Sequence, residues 1–114
     1  MRIEWYDFGR IDVDGQTYTS DVIISADNVM DGWWRRKGHR LDVADLSEVM
    51  NHKPDVLVIG TGYYGNMAVP SETRSFLESQ GIEVRAMETR DAVKEFNKLQ
   101  KQTGKIVAAL HLTC

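Results

Sequence analysis

The chain has little of what stabilises or targets a secreted protein. A single cysteine, Cys114, excludes an internal disulfide and suits a reducing compartment better than an oxidising one. No Asn-x-Ser/Thr sequon occurs. Met1–Asp7 shows no basic segment leading into an apolar one, so no signal peptide is expected. No apolar run approaches the ~20 residues that a membrane-spanning helix needs. Cationic excess is also missing: 14 Lys and Arg against 17 Asp and Glu leave a net charge of −3. A phosphate backbone attracts proteins with a basic face, so general nucleic-acid binding is not expected. The expected compartment is the cytoplasm, with no membrane partner.

Repeats, low-complexity tracts and linkers are absent too, so residues 1–114 read as one domain. The apolar share of 42% and the charged share of 27% are those of a globular protein. A chain of this length buries roughly two-thirds of its unfolded surface, enough to fold without staples.

The first part of the chain reads as β structure. Ile3, Trp5 and Phe8 suggest a strand. Ile11-Asp-Val-Asp-Gly-Gln-Thr-Tyr18 carries a hairpin signal at Asp14-Gly15, because both central positions of a type I′ turn need positive φ. In that register Ile11 faces Tyr18 and Val13 faces Gln16. Val22–Ile24 continues as strand, and Trp33–Arg36 reads as another short extended piece.

Beyond residue 44 helices and strands alternate. Asp45–Asn51 is a short helix with Leu46, Val49 and Met50 on one face. Pro54 breaks the chain ahead of Val56–Ile59, which is apolar throughout, as a strand covered on both faces should be. A helix over Ser71–Gln80 starts at Pro70-Ser71 and stops at Gly81. Ile82–Met87 is a strand. Thr89 is expected to cap the next helix, in which Ala92, Val93, Phe96, Leu99 and Gln100 form the buried stripe. Gly104 ends it, and Lys105–His111 is the last strand. Such alternation over residues 55–111 implies a β-α-β-α-β unit and a largely parallel sheet, with the β-rich N-terminal part added to it or packed on it.

Gly60-Thr-Gly-Tyr-Tyr-Gly65 matches the spacing of the G-x-G-x-x-G dinucleotide fingerprint and follows a strand. Glu88 stands where a ribose-binding acid would. The rest of the pattern departs. In the fingerprint the helix begins inside the motif, so that its N–H groups reach the pyrophosphate. Here helix signals begin only at Pro70-Ser71, and two tyrosines fill the phosphate wrap. A turn explains the glycines equally well. A weaker reading remains: ligands of open α/β sheets bind beyond the carboxyl ends of the strands, and glycine-loop N–H groups can hold a small anion. The ligand-binding candidates are Gly60, Thr61, Gly62, Ser71, Glu88 and Thr89.

Trp33-Trp-Arg-Arg-Lys-Gly-His-Arg40 is the densest basic and aromatic stretch. Trp and Arg are enriched at interface hot spots, so Trp33, Trp34, Arg35, Arg36 and His39 are candidates for a partner surface, including a homodimer's. An edge strand with one Trp in the core and its cations in water explains the same residues without function. His39, His52 and His111 share no metal-ligand spacing, and His111-Leu-Thr-Cys114 lacks two of the four ligands of a zinc site. Asp12-Val-Asp-Gly15 lacks the later ligands of a calcium loop. G-x-S-x-G is absent, and no catalytic set, cofactor or metal is called for.

Val58-Ile-Gly-Thr-Gly62, Val69-Pro-Ser71, Gly81-Ile-Glu-Val-Arg85, Thr89 with Ala92–Asn97, and His111-Leu-Thr-Cys114 together resemble a small α/β family of largely unknown function. Its prototype is an uncharacterised protein of a methanogen. An animal adipogenesis-associated protein and a mitochondrial assembly factor for respiratory complex I belong to it. The resemblance implies a three-layer single α/β domain: a mixed central sheet with helices, a β-rich N-terminal layer, and a last strand antiparallel to the others. It implies no catalytic activity and no cofactor. The expectation is a non-catalytic module binding a protein partner or a small anionic ligand. The alternative is a small nucleotide- or dinucleotide-binding enzyme using Gly60–Gly65.

Overall fold

Two β-sheets organise the chain in the computed structural model, which describes residues 1–102 and 104–114. The first is a three-stranded antiparallel meander of β1 (Ile3–Asp7), β2 (Arg10–Val13) and β3 (Gln16–Tyr18). Asp14 and Gly15 turn β2 into β3 at φ 48° and 80°, the paired positive values of a type I′ turn. The register is the expected one, Ile11 opposite Tyr18 and Val13 opposite Gln16.

The second sheet has five strands in the order β5-β4-β8-β6-β7, built from β4 (Val22–Ile24), β5 (Val29–Met30), β6 (Val56–Thr61), β7 (Glu83–Met87) and β8 (Ile106–His111). β8 lies at its centre. It runs parallel to β6 and antiparallel to β4, and β6 runs parallel to β7. The sheet is therefore mixed, but the last strand is not the odd one out. β6, β7 and β8 form the parallel β-α-β-α-β unit read from the alternation of elements, and β4 is the strand that opposes them. All six residues of β8 are buried, the mark of a strand covered on both faces.

Each face has its own core. Ile106, Ala108 and Leu110 pack with Val58 against Ala92, Phe96 and Leu99 of α3 (Thr89–Leu99), and against Ile3, Ile11 and Val13 of the meander. Val107 and Ala109 pack with Leu57 and Ile59 on the other side. There they meet Val49 of α1 (Ser47–His52), Leu77 of α2 (Ser71–Ser79), and Trp33 and Leu41 from the connection between β5 and α1. Period-two alternation along β8 thus feeds two separate layers, and the three-layer α/β architecture follows. Burial of Phe96, the largest fully enclosed side chain, contributes roughly 2–3 kcal/mol.

Two local expectations change. Trp33–Arg36 is not a strand; it belongs to an irregular segment whose ladder contacts are isolated bridges, Lys37 with Arg40 and Arg40 with Ala68. The hairpin partner of β4 is instead the two-residue β5. Thr89 does not cap α3 either. Glu88 occupies the cap position, and Thr89 is the first helical residue with its hydroxyl turned inward.

Candidate functional site

The carboxyl ends of β6, β7 and β8 meet at one end of the sheet, and five of the six ligand-binding candidates meet there. Gly60 packs so tightly against the start of α3 that a Cβ would stand 2.7 Å from Thr89 Oγ1 and 2.9 Å from Leu110 Cδ2. The Thr89 hydroxyl donates to His111 O at 2.6 Å and accepts from Gly62 N at 2.8 Å. Thr61 Oγ1 donates to Met87 O at 3.1 Å. Glu88 is exposed, its side chain lying over Gly65. Ser71 stands apart, exposed at the start of α2.

The loop after β6 is closed by the chain itself. Tyr63 N donates to Thr113 O at 2.7 Å, Gly65 N to Gly62 O at 3.2 Å, and Asn66 N to Cys114 O at 3.0 Å. Gly62, at φ 109°, has the backbone of Cys114 where a Cβ would project. The loop N–H groups of Gly62, Tyr63, Gly65 and Asn66 are thus taken up by Thr89 Oγ1, Thr113 O, Gly62 O and Cys114 O, and α2 begins six residues beyond Gly65. This geometry weighs against a pyrophosphate in the loop.

Beneath lies a charged cluster that local sequence patterns did not reveal. Register pairing of Val22 with Leu110 brings Asp21 beside His111. Asp21 Oδ2 stands 2.8 Å from His111 Nδ1 and 2.9 Å from Arg35 Nη2, and Asp21 Oδ1 accepts from Leu112 N at 2.7 Å. Arg35 Nη2 is also 2.9 Å from His111 Nδ1. Its Nε and Nη2 donate to Gly38 O at 3.2 and 3.0 Å, and its guanidinium lies 4.7 Å above the Trp33 ring. Placing the imidazole proton on Nδ1 lets it donate to the carboxylate, the arrangement with least electrostatic conflict. Burial pushes the Asp21 carboxyl up. Hydrogen bonds from His111 and the Leu112 N–H, with the positive charge of Arg35, outweigh it and hold the group below the ordinary carboxylate range. Arg35 Nη1 and His111 Nε2 are buried without a hydrogen-bond partner among the described residues. The His39 ring stands over His111 with centroids 6.0 Å apart.

Two of the partner-surface candidates are therefore interior. Trp33 and Arg35 are each 6% exposed, whereas Trp34 is 75% exposed and Arg36 and His39 also reach solvent. Trp33 Nε1 donates to Asp45 O at 3.0 Å, and Arg36 N donates to Asp45 Oδ1 at 3.1 Å. The alternation of Trp33 and Arg35 inward with Trp34 and Arg36 outward comes from these anchors rather than from a strand.

The outer face of the same end is aromatic. Tyr63 and Tyr64 pack edge to face at 5.1 Å, and Phe8, from the β1–β2 turn, meets them at 5.8 and 6.1 Å. Gly9 N donates to Leu112 O at 2.9 Å, which seats that turn on the segment after β8. Arg90 covers one face of Tyr63 at 4.7 Å. Phe8 and Tyr64 are 48% and 65% exposed. The chemistry of the region is thus an interior of carboxylate, imidazole and guanidinium that holds His111 and Leu112, with an aromatic shoulder beside the segment that follows.

Known structures share this architecture. The chain is similar, over 100% of both lengths, to the conserved hypothetical protein PH1505 from Pyrococcus horikoshii OT3, at 29% identity and a TM-score of 0.84. A protein named MT938 superposes with a TM-score of 0.79 at 23% identity, covering 99% of this chain and 98% of its own. A Mth938-like domain from Bordetella pertussis gives 0.77 at 20% identity over 97% of this chain and 85% of its own. No helix among the described residues is long and apolar enough to cross a membrane. Residues 3–111 match the family described as protein of unknown function (DUF498/DUF598), and the chain belongs to that family.

Proposed function

We propose that the chain is a non-catalytic module that binds a protein partner through Phe8, Tyr63 and Tyr64. The observation that carries this reading is the exposure of a contiguous aromatic cluster on a backbone pinned by residues 112–114. Exposed aromatics that form a patch, rather than standing singly, mark interaction sites. Tyr and Arg are favoured there because they bring large contact area with few rotatable bonds. Arg90, held over Tyr63, adds a cation at the rim. Rigidity supports the same reading, since a pre-ordered surface loses less entropy on binding. A cytoplasmic setting is part of the proposal.

Site-specific photocrosslinking in cells tests it. A benzoylphenylalanine at Tyr64 is expected to give one discrete adduct, lost when Phe8 is also changed to Ser. The same probe at Glu78, exposed on α2, supplies the background. Adducts from Tyr64 no different from those at Glu78 would end the proposal.

A further inference from the structure

We infer that the groove between β1 and the outer face of α3 is a binding site for a small phosphate monoester with an apolar or aromatic body. The groove is shallow and open to solvent, with a volume of about 400 Å³. It lies outside the loop after β6 and outside the buried Asp21 cluster, and it meets the aromatic surface only at Arg90, which lies over Tyr63.

Its walls are fixed. Asn97 Oδ1 accepts from Ile3 N at 2.9 Å, and Asn97 Nδ2 donates to Ile3 O at 2.7 Å, so one amide clamps the strand to the helix through both of its groups. Tyr6 is held at its far end by donation from its hydroxyl to Leu112 O at 2.7 Å. Ile3 and Val93 supply an apolar floor, and Trp5, 44% exposed, an aromatic wall.

Its rim is cationic. Arg2 comes from the strand, and Arg90 and Lys94 come from the helix. The last two are four residues apart and so share one face, an arrangement of like charges that costs an isolated helix a few tenths of a kcal/mol. Neither Arg2 nor Lys94 forms an ion pair among the described residues. Arg90 has one long contact, 3.5 Å to Glu88. One acid, Glu4, also lines the groove. Glu4 Oε1 accepts from Gly15 N at 2.5 Å, Asp14 Oδ1 accepts from the backbone of Arg2 at 2.8 Å, and Glu95 pairs with Arg85 on the far side of the helix. In a chain with more acids than bases, three cations line one groove against a single carboxylate, that of Glu4, and this cationic excess is a specific electrostatic feature. Cations from opposite walls suit a dianion that accepts from several directions, which favours phosphate over a single carboxylate. The aromatic and apolar surfaces suit the body that such a phosphate would carry.

Amide chemical-shift titration at fixed ionic strength tests the site, with phenyl phosphate, inorganic phosphate and benzoate as probes. Phenyl phosphate is expected to give saturable shifts confined to residues 2–6 and 90–97, and to bind more tightly than either other probe. Lys94→Glu and Arg2→Glu should each weaken it about tenfold, the loss of one charge-assisted contact. Both side chains are exposed, and a carboxylate at position 94 would face Arg90 one turn away, so the fold should survive either change. Three results would overturn the inference: no saturation below about 10 mM, shifts spread over all basic side chains, or benzoate binding as well as phenyl phosphate. Arg90 is left unchanged in both variants, so failure here leaves the aromatic surface untouched.

Discussion

Asp21 and His111, ninety residues apart in sequence, share a hydrogen bond of 2.8 Å inside the protein, with Arg35 closing the group at 2.9 Å from each. Such a group is weak evidence for stability as a whole, since desolvation offsets its attraction, but removing one member leaves a buried charge alone. Asp21→Ala is expected to lower the unfolding free energy by about 3 kcal/mol in urea titration. The double variant Asp21→Ala with Arg35→Met should be less destabilised than Asp21→Ala alone, because no unpaired guanidinium remains. A purely additive double variant would contradict the pairing.

The same carboxylate sets an acid limit. Its folded pKa is held below the unfolded value, so its contribution is complete above the ordinary carboxylate range and is lost as pH falls through the folded pKa. Stability should therefore decline below about pH 4. Asp21→Asn should be less stable at neutral pH and show a shallower decline in acid. Equal acid slopes for the two proteins would show that other carboxyls carry the effect.

Tyr6 sets an alkaline limit of opposite sign. Burial pushes its phenol up from the ordinary value of 10.0 to about 12, and the nearby Asp21 and Asp7 charges act in the same direction. The stabilisation it gives is present below pH 10 and disappears as pH rises toward 12. In an absorbance titration, one of the four tyrosines should ionise near pH 12. Tyr6→Phe should abolish that step and cost about 1 kcal/mol, the worth of its bond to Leu112 O.

Two glycines with positive φ should respond very differently to alanine. Gly15, at φ 80°, has open space where a Cβ would go, so its substitution should cost only the backbone strain of about 1 kcal/mol. Gly62 adds overlap with the carbonyl groups of Thr113 and Cys114, and its substitution should cost more than about 3 kcal/mol. Thermal melts of the two variants make the comparison. Similar melting temperatures would mean that residues 113–114 yield easily.

What the sequence discloses is local or periodic. The Asp14-Gly15 hairpin is legible to the residue because its turn depends on two φ values that the residues themselves favour. The parallel unit is legible because Val56–Ile59 and Ile106–Leu110 lack the polar alternation of a half-exposed strand. Arg35 reads as surface because arginine usually is; its burial depends on Asp21 and His111, which no local pattern links to it. His111 and Asp21 give no local signal for the same reason. The glycines of Gly60–Gly65, with Glu88 and Thr89, and the match of His111-Leu-Thr-Cys114 to a family pattern point to that end of the molecule, but neither reveals the buried cluster. The expectation that β8 opposes the other strands fails because orientation follows from which strand lies between which, and β4, the strand that does oppose them, is only three residues long.

The order in which the strands are made differs from the order in which they lie. β4 and β6 both wait for β8, which is synthesised after every other described strand and then sits between them. Without it, the β4–β5 and β6–β7 pairs each keep one apolar edge unpaired. The full five-stranded sheet can therefore close only when residues 106–111 are in place, and the two halves it joins have no direct pairing with each other.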